Sequence, residues 1–198
     1  MARTNATAAF TKSLKSLLPK KKGDEHAEAL LLTCIDFRFF GLIAQHMESM
    51  GFDGKYDHFI LAGAALGACL DFNDAHLPAP IPPERQCEPF LPRLHWQQVF
   101  LEHLQIATDL HATIDRVIII EHRDCGAYKV FKQPGGYATP AEELAAHKEQ
   151  AEKLEQIIQR HAPHLTVEKY LASLKPNAVG PLEKGRLRTF NDLKLELL

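Results

Sequence analysis

Arg116-Val117-Ile118-Ile119-Ile120-Glu121-His122-Arg123-Asp124-Cys125-Gly126 joins four consecutive β-branched residues to a cluster of polar and metal-ligating ones. The apolar part predicts a strand over Arg116–Glu121. A run with no polar alternation suits a strand covered on both faces, as in a parallel sheet. Working outward, Ala29–Cys34 is a second apolar run, too short for a helix. Asp57–Ala62 and the weaker Thr166–Leu174 read as two further strands. Helical patterns lie between them. Phe39–Met50 sets Phe39, Leu42, Ile43, His46, Met47 and Met50 at helical spacing, and Gly51 follows as a stop. His95–His111 is a second helix. Thr139–His161 is a third, with Thr139 able to cap it, Pro140 suited to its first position, and Glu142 and Glu143 favoured at its positive end. The alternation predicts an α/β fold with a mostly parallel central sheet flanked by helices.

The remaining segments are less regular. Ala62–Gly67 is small and Gly-rich, so the backbone can approach another group closely there. Six of the twelve prolines fall between Pro78 and Pro92, a density no regular element survives. Lys175–Leu198 reads as an irregular C-terminal tail with a last turn at Asp192–Leu198. Residues 1–28 form a basic arm: Arg3, Lys12, Lys15, Lys20, Lys21 and Lys22 stand without an acid before Gly23. Phe10, Leu14, Leu17 and Leu18 give this arm an amphipathic helical pattern, and its single arginine argues against a transit peptide. The division is thus 1–28 arm, 29–174 α/β domain and 175–198 tail.

Composition narrows the function classes. The chain has 198 residues, 45% hydrophobic and 24% charged, which suits one globular domain and excludes a disordered or collagen-like chain. A net charge of −2 gives no field to attract nucleic acid. No apolar run approaches the roughly 18 residues of a membrane span. Four cysteines are too few for a disulfide framework, and no Cys-x-x-Cys is present to indicate a thioredoxin-like role. The question is which of the cysteines act with which of the eleven histidines.

In open α/β sheets, sites lie beyond the carboxyl ends of strands. The first strand ends in Cys34-Ile35-Asp36-Phe37-Arg38, and the third in His122-Arg123-Asp124-Cys125. If the sheet brings these ends together, Cys34, His122 and Cys125 form a two-thiolate, one-imidazole set, the pattern of a catalytic Zn²⁺ site with one position open. Two thiolates cancel the charge of Zn²⁺, and the metal brings the pKa of a water it binds toward about 7. In extended backbone Cys34, Asp36 and Arg38 share a side. Asp36 then either closes the fourth zinc position or is held off the metal by Arg38, leaving it to accept a hydrogen bond from zinc-bound hydroxide.

Cys34-x-Asp36-x-Arg38 followed by His122-x-x-Cys125-Gly126 at the end of a later strand resembles the β-class carbonic anhydrases, over about Ala29 to Leu174. The resemblance implies a zinc hydro-lyase with carbonate dehydratase activity, reversibly hydrating CO₂ to bicarbonate. It implies Cys34, His122 and Cys125 as metal ligands and Asp36 and Arg38 as the catalytic pair. It further implies an antiparallel extension of the sheet and a homodimer or higher even oligomer, whose N-terminal helices wrap around the partner. Leu61-Ala62-Gly63-Ala64 keeps the Ala-Gly core of a turn usual in that family, which makes Gly63 a substrate-binding candidate. Phe37 stands where the family usually has a small residue, and the Pro-rich segment looks inserted. A bulkier, more apolar pocket would suit COS or CS₂ through the same zinc chemistry. A non-catalytic zinc-binding oligomer is the reading from a different class.

Cys69 reads as a core residue and Cys87 as a loop thiol. His46, His103, His111 and His147 fall on helices and read as solvated or packed, and His58 as a candidate proton relay. Thiols that must stay reduced to bind metal favour a cytoplasmic setting.

Overall fold

The computed structural model describes residues 26–70, 95–175 and 190–198. The basic arm up to Gly23, the Pro-rich segment with Cys87, and the Pro- and Gly-containing part of the tail lie outside the described residues.

The chain is an α/β protein built on a five-stranded sheet. In chain order its elements are β1 (Ala29–Thr33), α1 (Phe37–Ser49), β2 (Tyr56–Ile60), α2 (Ala65–Cys69), α3 (Trp96–Leu110), β3 (Arg116–His122), α4 (Gly126–Phe131), α5 (Pro140–His161), β4 (Thr166–Leu174) and β5 (Leu193–Leu197). The sheet order is β2-β1-β3-β4-β5. The first four strands run parallel and β5 pairs antiparallel with β4.

The apolar runs of β1 and β3 are continuous because both faces are covered. Leu30, Leu32, Val117 and Ile119 pack on one side with Phe100, Leu104, Leu154 and Ile158 of α3 and α5. Their neighbours Leu31, Ile118 and Ile120 pack on the other with Phe39, Leu42, Ile43 and Met47 of α1. Successive strand residues point to opposite faces, so neither face can be polar. Burying a Leu or Ile side chain is worth about 1.5–3 kcal/mol, so this double layer holds the centre of the sheet.

The long helix starts as its sequence indicates: Glu142 N–H donates to Thr139 Oγ1, Pro140 is the first helical residue, and Glu142 and Glu143 lie in the first turn. The short helices α2 and α4 were not expected, and two expected elements differ in form. The helix expected from Phe39 begins at Phe37, because Asp36 serves as its N-cap and accepts the Arg38 backbone N–H. Such a cap satisfies a backbone donor that would otherwise be orphaned. Leu193–Leu197 is a strand rather than a turn, preceded by a single 3₁₀ turn at Phe190–Asp192. Its period-2 sequence Leu-Lys-Leu-Glu-Leu fits an edge strand, with Leu193 buried and Lys194 exposed.

The connections set the site. The chain leaves β1 through α1 on one face to reach β2, then returns through α2 and α3 on the other face to reach β3. β1 therefore sits where the winding reverses, which in open α/β sheets is the place ligands bind, beyond the carboxyl ends of the strands. Thr33 pairs with Ile120 in register, so Cys34 and Glu121-His122 are set side by side.

Candidate metal centre

Cys34 follows the last residue of β1, His122 is the last residue of β3, and Cys125 is the N-cap of α4. Their ligand atoms all lie within 4.8 Å of one another. The two sulfurs are 3.8 Å apart. The sheet thus closes a gap of 88 residues between Cys34 and His122. Among the described residues the cysteines are free thiols.

His122 is 2% exposed and its tautomer is set from one side. Nδ1 lies 2.9 Å from the carbonyl oxygen of Arg123 and, carrying the proton, donates to it. Nε2 then holds the lone pair, is buried, and has no hydrogen-bond partner among the described residues. Phe39 stacks on the ring at 4.6 Å and fixes its plane. A buried imidazole nitrogen beside two sulfurs, with the other ring nitrogen bonded to a carbonyl, is the donor chemistry a zinc ion takes.

Protons among the three groups are shared unevenly. The hydrogen bond from Cys125 holds the Cys34 thiol far below its usual value, at about 4, against the opposing effect of burial. His122 and the Gly63 N–H act in the same direction. Cys125 is pushed up, first by sharing its proton with Cys34 and then by burial. Burial opposes charge on His122, but the neighbouring Cys34 outweighs it and raises the imidazole.

Asp36 and Arg38 meet, though not through extended backbone. Asp36 is the cap and Arg38 the second residue of α1. The guanidinium grips the carboxylate bidentately, Nε to Oδ1 at 2.9 Å and Nη2 to Oδ2 at 2.6 Å. Arg38 also donates to Asp124, to Oδ2 at 3.2 Å and to the carbonyl oxygen at 3.1 Å. Asp36 Oδ2 lies 3.7 Å from His122 Nε2, so the carboxylate stands beside the donor set. Burial would raise the Asp36 carboxyl, but Arg38 outweighs it and holds it below the ordinary carboxylate range. Gly63 directs its N–H at the Cys34 sulfur, 3.3 Å away.

Phe37 departs from the pocket expectation. It is 86% exposed, so it does not narrow the site within a single chain. The phenyl ring projects outward because the cap at Asp36 turns the chain into α1 one residue earlier than an extended segment would. Cys69 is buried core, as expected. His58 bonds Thr33 Oγ1 at 2.7 Å, and its ring stacks on Phe40.

The sequence reading missed the groups that brace the site. Asp124, at a left-handed φ of 56°, bridges Arg38 and Lys129. Arg123 joins Pro140 O, Glu143 and Glu196, tying β3 to α5 and β5. Glu121 is buried and bonds His147. A carboxylate at the end of an otherwise apolar strand needs a buried partner, and that was the available signal.

No family model matches the chain. Over 148 residues, 75% of this chain, it is 29% identical to an uncharacterized protein of Rickettsia bellii (strain RML369-C), covering 77% of that protein. It is 28% identical, again over 148 residues and 75% of this chain, to an uncharacterized protein of Rickettsia conorii (strain ATCC VR-613 / Malish 7), covering 68% of it. Among solved structures it is similar to a carbonic anhydrase from Streptococcus mutans, at a TM-score of 0.36 and 11% identity, over 87% of this chain and 93% of that one. It is also similar to β-carbonic anhydrase isoform I from Trichomonas vaginalis, at a TM-score of 0.37 and 11% identity, over 87% of this chain and 90% of that one.

Proposed function

We propose that the chain is a zinc enzyme that reversibly hydrates CO₂ to bicarbonate, with Cys34, His122 and Cys125 holding the metal. The observation that carries this reading is the donor set: two sulfurs and a buried imidazole nitrogen, mutually within 4.8 Å, with that nitrogen's lone pair unclaimed by any hydrogen bond among the described residues. Three protein ligands leave a fourth position for chemistry. When bound, zinc supplies the Lewis acidity that makes water a nucleophile near neutral pH.

The chain's own residues supply orientation. Asp36 accepts a hydrogen bond from the attacking water and fixes which lone pair faces the CO₂ carbon. Arg38 keeps Asp36 ionised and limits its swing, and Asp124 in turn limits Arg38. The proton released passes to buffer, and bicarbonate exchanges for water. Ile35, Phe37 and Phe40 are 65%, 86% and 54% exposed beside the site, an apolar lip that a second copy of the chain would cover in a homodimer. Reduced ligand thiols suit a cytoplasmic setting. Among the described residues no helix is long and apolar enough to cross a membrane.

Zinc content and stopped-flow CO₂ hydration, measured on the same reconstituted full chain, test the reading. The expected result is about one zinc per chain and hydration that disappears in Cys34→Ser. Zinc far below that stoichiometry overturns it. Full zinc without CO₂ hydration, but with sulfide released from COS, moves the activity to sulfur substrates. Full zinc with neither activity makes the metal structural.

A further inference from the structure

Behind the three donors lies a buried polar pair that the proposed chemistry does not use. Glu121 is 1% exposed and His147, on α5, is fully buried. His147 Nδ1 donates to Glu121 Oε2 at 2.9 Å. The other carboxylate oxygen, Oε1, accepts the backbone N–H of Ala65 at 2.7 Å. The Tyr128 ring tilts against the imidazole, centroids 3.9 Å apart. Charged and polar groups this far from water are costly unless paired, and here the pairing ties both oxygens to one arrangement.

What they hold is a turn that needs holding. Ala64 has φ 43° and ψ −109°, a conformation an L-residue keeps only when its surroundings over-determine it. Gly63 beside it has φ 77°, and a Cβ there would stand 3.0 Å from Ala127 Cβ. Within the turn Ala64 N–H donates to the Leu61 carbonyl and Leu66 N–H to that of Gly63, each at 2.9 Å. Ala65 N–H is fixed from outside, by Glu121. The product of this geometry is the Gly63 N–H aimed at Cys34 Sγ.

We infer that Glu121 and His147 are positioning residues: they clamp the Leu61–Ala65 turn so that the Gly63 N–H is delivered to the sulfur of Cys34. The inference rests on the reading of Cys34 as a metal ligand for its functional meaning, though the clamp itself exists without metal. A hydrogen bond to a ligating thiolate orients the sulfur and tempers its charge, the work that outer partners of metal ligands do. His147 thereby reaches the metal through four links, Glu121, Ala65, Gly63 and Cys34, none of which is its sequence neighbour.

The test compares wild type with His147→Leu, which fills the space but removes the donor, and His147→Asn, whose amide can donate from near the Nδ1 position. Two readouts are used on the full chain. Hydrogen exchange of the Gly63 amide is followed by NMR in metal-free protein, and Co²⁺ is titrated while thiolate-to-cobalt absorption is recorded. His147→Leu is expected to speed Gly63 exchange and weaken Co²⁺ binding by about tenfold or more, with a shifted charge-transfer band. His147→Asn is expected to return both toward wild type. Wild-type exchange and Co²⁺ binding in His147→Leu overturn the inference, and so does a His147→Asn variant as impaired as the leucine one, since packing alone would then explain the loss. If His147→Leu does not fold, Glu121→Gln carries the test, because its amide keeps one oxygen for Ala65 N–H but sets an NH₂ donor against the Nδ1–H of His147. It is expected to speed Gly63 exchange and weaken Co²⁺ binding, and wild-type exchange with wild-type Co²⁺ affinity overturns the hydrogen-bond clamp. A wild-type chain whose cobalt spectrum is untouched by Cys34→Ser sinks the metal reading instead, and the amide exchange still decides the clamp.

Discussion

Around the amino ends of the parallel strands, the charged pairs meet water. Arg116 pairs with Asp115 and Glu168, Glu28 with Lys55, and His111 with Asp57, all with side chains about a third exposed or more. At the carboxyl ends of β1 and β3, Thr33, Glu121 and His122 are at most 2% exposed. The neighbouring backbone there holds Ala64 and Asp124, which among the described residues are the non-glycine ones at positive φ. The two ends share strands, register and core, so fold stability does not require the difference. Buried polar groups and strained residues at one end of a sheet carry a cost, and that cost marks where positions are held for chemistry. The comparison predicts that substitutions at the carboxyl end change metal binding and turnover, whereas those at the amino end change little.

The largest effect is expected at the proposed metal ligands. Cys34→Ser replaces a soft thiolate with a hydroxyl that stays protonated. Zinc affinity should fall by more than the roughly 10–100-fold typical of losing an outer partner. Competition with a chromophoric chelator measures it. Affinity within a factor of a few of wild type would break the comparison at its centre.

Asp36→Asn comes next and separates two roles. Asn caps a helix about as well as Asp, so α1 should remain intact. Zinc should stay, while turnover falls about 100-fold, the scale of a lost proton acceptor. The substitution also has a pH signature in the metal-free chain. Arg38 holds the Asp36 carboxyl below its ordinary range. A depressed carboxyl contributes stability above its unfolded pKa of about 3.9 and loses it as pH falls through the folded value. The stability gap between wild type and Asp36→Asn, from urea unfolding, should therefore narrow as pH drops from about 6 toward 3. A gap that is constant or grows in acid contradicts the Arg38 grip.

These residues show how much could be read from the chain alone. The clustering of Cys34, His122 and Cys125 was legible because cysteine and histidine stand out at strand ends, and the β-branched run Val117–Ile120 identifies its strand. Asp36 and Arg38 do meet, but through a helix cap rather than the extended backbone expected for them. Extended spacing and an N-cap both bring positions two apart together, and only the cap explains why Asp36 accepts the Arg38 N–H. Leu193–Leu197 was read as a turn because five alternating residues after a Pro- and Gly-containing stretch give little signal until β4 offers an edge. Glu121 and His147 were hidden for another reason. His147 falls on the same helical stripe as Ala151, Leu154 and Ile158, all buried, but its place on a helix alone left it open whether it was solvated or packed. Its partner, on a strand 26 residues earlier, is decided by tertiary packing, which no local pattern encodes.

A smaller effect is expected at Gly67, in the floor of the strained turn. A Cβ there would lie 2.3 Å from the Ala62 carbonyl oxygen, which is backbone and has no flexible end to move aside. Gly41, in α1, has nothing within 4 Å of the same added atom. Gly41→Ala should therefore stabilise the chain by roughly 0.5–1 kcal/mol, the helix-propensity gain. Gly67→Ala should destabilise it by about 1–3 kcal/mol, the range for overpacking. Opposite signs in chemical denaturation confirm that the turn, and not helix content, sets the tolerance. Equal signs would show that the turn relaxes easily and that its strain holds nothing in place.

The smallest effect closes the comparison from its other side. Arg116 pairs with Asp115 and Glu168 and lies over Phe52, its guanidinium carbon 5.8 Å from the ring centroid. On paper it makes as many charged contacts as Arg38. Its partners are more open to water, however, Asp115 at 64% and Glu168 at 33% exposed against 15% for Asp36, and an exposed ion pair gives back most of its Coulomb energy as lost hydration and side-chain freedom. Arg116→Ala should cost under about 1 kcal/mol in urea unfolding. The deficit should shrink further as salt rises toward about 1 M, where the Debye length falls to roughly 3 Å, the span of these pairs. Zinc affinity should not move, since Arg116 and His122 stand at opposite ends of the seven-residue β3. A cost of several kcal/mol that is insensitive to salt would mean the amino end is also built from positions that must be held. Burial, rather than the number of charged contacts, would then no longer distinguish the two ends.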